Sequence, residues 1–412
     1  MDLGQGHLII ATIVGFLMAC GIGANDVSNA MGTSVGSKAI TVRQAVIIAI
    51  IFEFLGSFIA GGQVASTISH GLLTDEIFSN PNVVYAGMLS SLLAAATWLA
   101  IATYFAWPVS TTHTIVGAVI GFGWVQVGMS AIKWVNVSYI LVGWIISPLL
   151  GGVISFAIFH NIQKVIFSSK YPLEQAKKIV PYYIYVVTCV ILLLIMPNFF
   201  RSINIKVTFF ISTCYALALS LVITLIGKLM LRRVKFDMQD DIEFHFTNVE
   251  KIFSVLMLFT SCAMAFAHGS NDVANAIGPL SAIAAVIGKT SSVSTPLWVL
   301  LLGAFGIVIG LSAYGHRVIA TIGTGITELT PTKGFAATIA AASTVVFASN
   351  SGLPISTTHT MVGAILGIGI ARGINAINMR NVRNIFMSWM VTLPAGTLLA
   401  IIYFEIIINS IL

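Results

Sequence analysis

Charge is what this sequence of 412 residues has least of. Twenty Lys and Arg with fourteen Asp and Glu make up 8% of it, where a soluble globular protein carries about 25%. With 57% of its residues hydrophobic, the chain cannot cover a water-facing surface, which excludes a soluble enzyme, a secreted scaffold and a disordered tail. Cysteine is scarce too. Cys20, Cys189, Cys214 and Cys262 lie scattered in apolar runs without a CxxC pair or a metal-ligand spacing, so they read as small buried hydrophobes. No Walker A sequence occurs, which argues against ATP hydrolysis. No basic cluster alternates with aromatics, which argues against nucleic acid as a partner despite the net charge of +6. No nucleophile–base pair supports an enzyme. A basic leader and a small-residue cleavage site are also missing, so the first apolar run reads as a retained span.

What is present is long apolar runs. A helix needs about 20 apolar residues to cross the hydrocarbon core. Candidate spans fall near 7–35, 42–60, 82–107, 109–129, 136–160, 182–198, 207–231, 251–288, 296–314, 334–349, 355–371 and 384–411. The expected fold is an all-α polytopic membrane protein with about twelve transmembrane segments. The first and eighth spans are long and each holds a Gly-Asn-Asp run, which predicts a broken helix in each. With the N-terminus outside, only Lys133, Arg201, Lys206 and Lys289 of the twenty basic residues are extracytoplasmic. The positive-inside rule therefore puts both termini on the outer face of the cell membrane.

The chain also repeats itself. GANDVSNAMG at 23–32 matches GSNDVANAIG at 269–278, and PVSTTHTIVGAVIGFG at 108–123 matches PISTTHTMVGAILGIG at 354–369, both at an offset of 246. A duplication is the reading, with an N-terminal repeat at 1–160, a connector with two spans at 161–250 and a C-terminal repeat at 251–412. Five spans per repeat and two in the connector put the repeats in opposite orientations. Such inverted repeats belong to secondary transporters, whose site lies at mid-membrane where the repeats meet.

Two motifs carry the chemistry. Asp26 and Asp272 sit within apolar spans, where each carboxylate costs about 2.5–3.5 kcal/mol to insert. Asn25 and Asn29, like Asn271 and Asn275, lie one helical turn apart. Gly23 and Gly269 are expected to unwind the helix and free carbonyl oxygens. Carboxylate, amide and carbonyl oxygens suit a hard cation such as Na⁺, so Asp26, Asp272, Asn29 and Asn275 are the candidate ion ligands. Glu53 joins them as an intramembrane carboxylate opposite Ile307 in the repeat alignment. It could bind an extra cation, pair with a positive group or serve structure alone. The second motif follows a proline, Pro108 or Pro354, that stops the preceding helix. Ser110 and Ser356 are N-cap residues for the next helix. Its first N–H groups and the hydroxyls of Ser110, Thr111, Thr112, Ser356, Thr357 and Thr358 suit a tetrahedral oxyanion, with Asn25 and Asn271 beside it. His113, His359, Gln63 and His268 are expected behind this first layer. Gln63 stands opposite Arg317, and His268 opposite Ile22.

These paired motifs resemble the inorganic phosphate transporter (PiT) family over nearly the whole chain. The resemblance implies a symporter that takes up orthophosphate with Na⁺ or H⁺, with Asp26, Asp272 and their Asn neighbours serving ion and substrate. It also implies a functional role for Glu53. A second-half glutamate of eukaryotic members is missing here, where Ala337 and Thr338 stand. The expected function is secondary active import of phosphate coupled to Na⁺ by alternating access, with no cofactor beyond the coupling ion. Proton-coupled phosphate or metal-phosphate carriage and sulfate permeation remain the alternatives. The expected partners are phosphate, Na⁺ and the lipid bilayer, and the apolar outer faces would allow a homodimer.

Overall fold

The computed structural model describes residues 3–105, 107, 109–203, 205–234, 242–288, 295–315, 328–373 and 378–411. Pro108, Arg317 and the acidic stretch 237–241 fall outside the described residues. The helices are α1 (Gln5–Gly36), α2 (Val42–His70), α3 (Asp75–Phe78), α4 (Pro81–Tyr104), α5 (Thr111–Val127), α6 (Trp134–Ile162), α7 (Pro172–Ser202), α8 (Phe209–Arg232), α9 (Ile242–Asp272), α10 (Ala274–Ile287), α11 (Leu297–Gly310), α12 (Pro331–Asn350), α13 (Thr357–Arg372) and α14 (Met379–Ile411). Among the described residues there is no strand, only an isolated antiparallel bridge between Leu73 and Ile132. Local chemistry sets several of the starts. Thr41 and Gln44 form a capping box at α2, and Asn80 caps α4 ahead of Pro81 at its first position.

Nine helical stretches among the described residues are long and apolar enough to cross a bilayer. The other three expected spans are α5, α12 and α13, all largely buried. With 17 and 16 residues, α5 and α13 are about 25 Å long at 1.5 Å per residue, somewhat short of the roughly 30 Å hydrocarbon core.

The expected breaks at the Gly-Asn-Asp runs are corrected by the structure. Helix α1 continues through Gly23, Asn25 and Asp26 without interruption. In the second copy only Val273 separates α9 from α10, and its dihedrals remain right-handed helical. The glycines serve close approach instead of unwinding. A Cβ on Gly23 would overlap the backbone carbonyl of Ile307, and one on Gly269 that of Glu53.

Helices from the two ends of the chain pack in pairs. Helix α2 packs along α9 and α11 along α1, while α6 packs on α13 and α14 on α5. In the repeat alignment, which relates α1 to α9–α10 at an offset of 246 and α2 to α11 at 254, the members of these pairs correspond. Helices α4–α5 and α12–α13 are the corresponding hairpins. Helices α7 and α8 pack on each other and on α9, and α8 turns Phe209, Phe210, Leu221 and Leu225 outward, as a face toward lipid requires. Helix α9 starts at Ile242, so residue 251 lies inside a helix.

Two hydrophobic clusters fill the interior. One joins Met31, Ala45, Met257 and Phe335, and the other Met18, Ile68, Leu92 and Ile277. Along α1 and along α9–α10 the switch from one cluster to the other comes at the Asn-Asp run. The buried polar residues therefore form a layer between two apolar plugs.

Candidate functional site

The site begins with the two hairpin tips. Ser110 Oγ accepts the His113 N–H at 3.2 Å, and Ser356 Oγ accepts the His359 N–H at 3.2 Å. Both cap bonds are buried, so α5 and α13 start inside the protein with their remaining first-turn N–H groups turned toward the polar layer. The tips brace one another. Thr112 Oγ1 donates to the Ile355 carbonyl at 3.0 Å, and Thr358 Oγ1 to the Val109 carbonyl at 3.3 Å. His113 and His359 meet edge to face with centroids 4.3 Å apart. Two helix N-termini are thus joined by reciprocal contacts.

The Asn-Asp motifs of α1 and α9–α10 reach these tips from both sides. Asn29 Nδ2 donates to Thr358 Oγ1 at 2.7 Å, and Asn275 Nδ2 to Thr111 and Thr112 Oγ1 at 3.1 and 3.3 Å. Asn25 Nδ2 donates to Thr103 Oγ1 at 3.0 Å, and Asn271 Nδ2 to Ser349 Oγ at 3.1 Å. Each repeat thus binds the other's tip through one Asn and its own hairpin arm through the other. Thr357 Oγ1 donates to Asp272 Oδ2 at 2.6 Å, and Thr111, its counterpart, lies alongside Asp26.

The oxygens left over decide what this layer can hold. With their amide N–H₂ groups spent on hydroxyls, Asn29, Asn271 and Asn275 each keep an unpartnered buried Oδ1, and both Asp26 oxygens and Asp272 Oδ1 are also without a hydrogen bond. One atom from each of Asp26, His268 and Asp272 falls within 4.8 Å of the others. Two ionised carboxylates at that separation repel by about 3–4 kcal/mol at an effective dielectric of 20. Unpartnered acceptors beside two carboxylates are the donor set of a hard cation, and the N–H groups of the helix starts suit an anion next to it.

One half carries an addition. His268 Nε2 lies 3.0 Å from Asp272 Oδ2 and its Nδ1 3.2 Å from Glu53 Oε1, with all three side chains fully buried. Ser57 Oγ donates to the Gly269 carbonyl at 3.1 Å, holding α2 against α9 beside this chain.

The phosphate transporter family model matches residues 22–400. A Haemophilus influenzae protein provisionally named a phosphate permease is 48% identical, covering 98% of this chain and 97% of its own length. An Arabidopsis thaliana protein, inorganic phosphate transporter 2-1, chloroplastic, is 42% identical over 98% of this chain and 73% of its own. The chain belongs to the phosphate transporter family. A solved structure described as the sodium-dependent phosphate transporter superimposes with a TM-score of 0.90 at 38% identity, covering 97% of this chain and 98% of that one. This multi-pass transporter is accordingly a membrane permease and not an enzyme.

The transporter brings together Asn25, Asp26, Asn29, Asn271, Asp272, Asn275 and both Ser-Thr-Thr runs. Other expected residues have further partners of their own. Glu53 reaches the layer only through His268, so its carboxylate is a histidine partner. His268 touches Asp272 directly and so stands closer to the candidate ion ligands than expected. His113 and His359 stack on Trp144 and Trp389, with centroids 3.7 and 3.5 Å apart. Gln63 lies apart, with its amide bonded to Asn198 of α7 at 2.8 Å, and Asn198 in turn bonded to Asn350. Thr103 and Ser349 were missed. They stand 246 apart like the motifs, and aligning hydroxyls across the repeats would have found them. Thr338, where the second glutamate is absent, bonds Thr33 Oγ1 at 2.7 Å.

Proposed function

We propose that this transporter imports inorganic phosphate across the cell membrane, coupled to Na⁺, by alternating access. The carrying observation is the set of buried, unpartnered Asp and Asn oxygens lying against two opposed helix N-termini. The sodium-dependent neighbour supports the choice of cation. Na⁺ would sit among Asp26, Asp272, Asn29 and Asn275, and phosphate against the starts of α5 and α13. Neither motif supplies Lys or Arg, so bound Na⁺ cancels the carboxylate charge that would otherwise repel the anion. Substrate then binds well only after the cation, which is coupling by electrostatics. Two Na⁺ with one H₂PO₄⁻ would carry one net positive charge inward, worth about 2.3 kcal/mol per 100 mV.

The reciprocal packing of the repeats supports the inverted architecture, with twelve spans and both termini outside, because a pseudo-two-fold between hairpin tips lets either repeat take the other's role. The same free oxygens bear on selectivity. A phosphate hydroxyl can donate to an Asn Oδ1 or an Asp oxygen, whereas sulfate has no hydrogen to offer. An unpaired buried acceptor costs about 1–3 kcal/mol, so phosphate is preferred roughly tenfold or more.

One observation favours a second reading. His268 bridges two buried carboxylates, Glu53 and Asp272, an arrangement able to hold and pass a proton. Labelled phosphate uptake into proteoliposomes separates the two, with an inward Na⁺ gradient set against an inward H⁺ gradient and cold sulfate as competitor. Uptake driven by Na⁺ and indifferent to sulfate is expected. Uptake driven by H⁺ alone transfers the Asp pair to proton coupling, and full competition by sulfate overturns the hydroxyl-donor account of selectivity.

A further inference from the structure

On the outer side of the hairpin tips, α6 and α14 splay apart and leave a crevice of about 1110 Å³. Leu141, Ile145, Leu149 and Val153 of α6 form one wall, and Phe386 and Met390 of α14 belong to the other. All six are exposed. At its floor lie His113 and His359, each stacked on a tryptophan of the adjoining wall, Trp144 or Trp389. Among the described residues no Lys, Arg, Asp or Glu lines it. From Leu141 to Phe156 the crevice follows α6 for about 22 Å at 1.5 Å per residue, most of the roughly 30 Å hydrocarbon depth.

We propose that this crevice is a binding site for a lipid acyl chain, which wedges α6 from α14 and bears on the substrate hairpins. Water is a poor occupant, since it needs two to four polar partners and the walls offer almost none. An empty crevice would forfeit dispersion contacts along both walls. In a bilayer its open side faces hydrocarbon, and a chain is the hydrocarbon at hand. The lining carries no charge to hold a headgroup, so recognition is of the chain alone. A second copy of the protein does not fill it either. A two-fold dimer on this face would set a concavity against its own copy, enlarging the space.

The occupant would touch the transport machinery by short steps. Trp144 Nε1 donates to the Pro354 carbonyl at 3.2 Å, two residues before the Ser356 cap. His113 and His359 stand in the first turns of α5 and α13, and Gly363 of α13 is close enough to α6 that a Cβ there would overlap the Pro148 carbonyl. Chain occupancy therefore holds the spacing of the two tips.

The test uses the full chain in phosphatidylcholine vesicles and does not depend on which ion or anion is carried. The signal of Trp144 and Trp389 is taken as wild type minus Trp144→Phe/Trp389→Phe. When phosphatidylcholine brominated at mid-chain replaces its unbrominated form, that signal is expected to fall by half or more, and to fall less with bromine near the headgroup. A signal that bromine leaves unchanged overturns the site. Should the double variant fail to fold, wild type is photolabelled with phosphatidylcholine carrying a mid-chain diazirine. Adducts concentrated on 141–156 and 386–394 support the proposal. Labelling no denser there than on exposed α8 overturns it, as does a Val153→Cys variant whose copies cross-link through this face in the same vesicles.

Discussion

Beside Asp272 stands His268, and beyond it Glu53. Beside Asp26 the same two positions hold Ile22 and Ile307. Everything else in the polar layer is close to a copy: the Asn–hydroxyl bonds, the Ser caps and the crossed Thr–carbonyl bonds occur once from each repeat. A symmetric frame is what alternating access needs, since each tip must be able to do what the other does. A titratable pair on one side only distinguishes the two Asp residues chemically. Each Asp has a tip threonine beside it, Thr111 or Thr357, while only Asp272 also touches an imidazole at 3.0 Å. The two Asp residues are thus alike in position and unlike in their neighbours.

The comparison can be broken most sharply at the pair itself. His268→Ile makes the second half resemble the first but strands Glu53 as an unpaired buried carboxyl group, and a loss of about 3–5 kcal/mol is expected. The double variant Glu53→Ile/His268→Ile removes both partners and should recover a large part of that loss. Thermal unfolding in detergent, run as a double-mutant cycle, measures the coupling. A double variant no more stable than His268→Ile would refute the pairing.

Next comes the Asp pair. Asp26→Asn and Asp272→Asn each remove a proposed cation ligand, and under the proposed coupling Na⁺-driven phosphate uptake should fall on the order of a hundredfold, about 2.7 kcal/mol. The Asp272 variant should also alter the H⁺ dependence of uptake more than the Asp26 variant does, because Asp272 contacts the His268 ring at 3.0 Å. Equal profiles for both variants would show that the asymmetry has no part in transport.

Close packing is the next level down. Gly23→Ala and Gly269→Ala each press a methyl group onto a neighbouring backbone carbonyl, and overpacking of this kind costs about 1–3 kcal/mol. Both should lower the unfolding midpoint. Only Gly269→Ala displaces Glu53, so only it should depress uptake beyond what the loss of folded protein explains.

The smallest effect tests the symmetry. Ser110→Ala and Ser356→Ala each remove one buried N-cap, worth about 1 kcal/mol. The two should destabilise equally and weaken phosphate binding to a similar degree, read from the concentration giving half-maximal uptake. A large difference between them would mean that the tips do not share the anion.

Much of this was legible in the sequence. Low charge and long apolar runs demand a bilayer, because burial of such a composition leaves nothing for water. The fixed offset of 246 between two motif pairs points to a duplication, and the paired intramembrane Asp residues are the ground for the proposed cation. The Ser caps were legible as well, because a cap is a local bond between residues three apart. What only the tertiary structure decided is long-range. The glycines were expected to unwind α1 and α9, yet they admit the carbonyls of Ile307 and Glu53, since a missing Cβ permits either outcome and the neighbouring helix chooses. Glu53 and His268 are 215 positions apart in the chain and show no pattern there, so their pairing follows from α2 lying along α9. Which Asn oxygens remain free likewise depends on hydroxyls brought from the other repeat. Composition and periodicity set the solvent and the symmetry, while the contacts between helices assign each polar atom its partner or leave it without one.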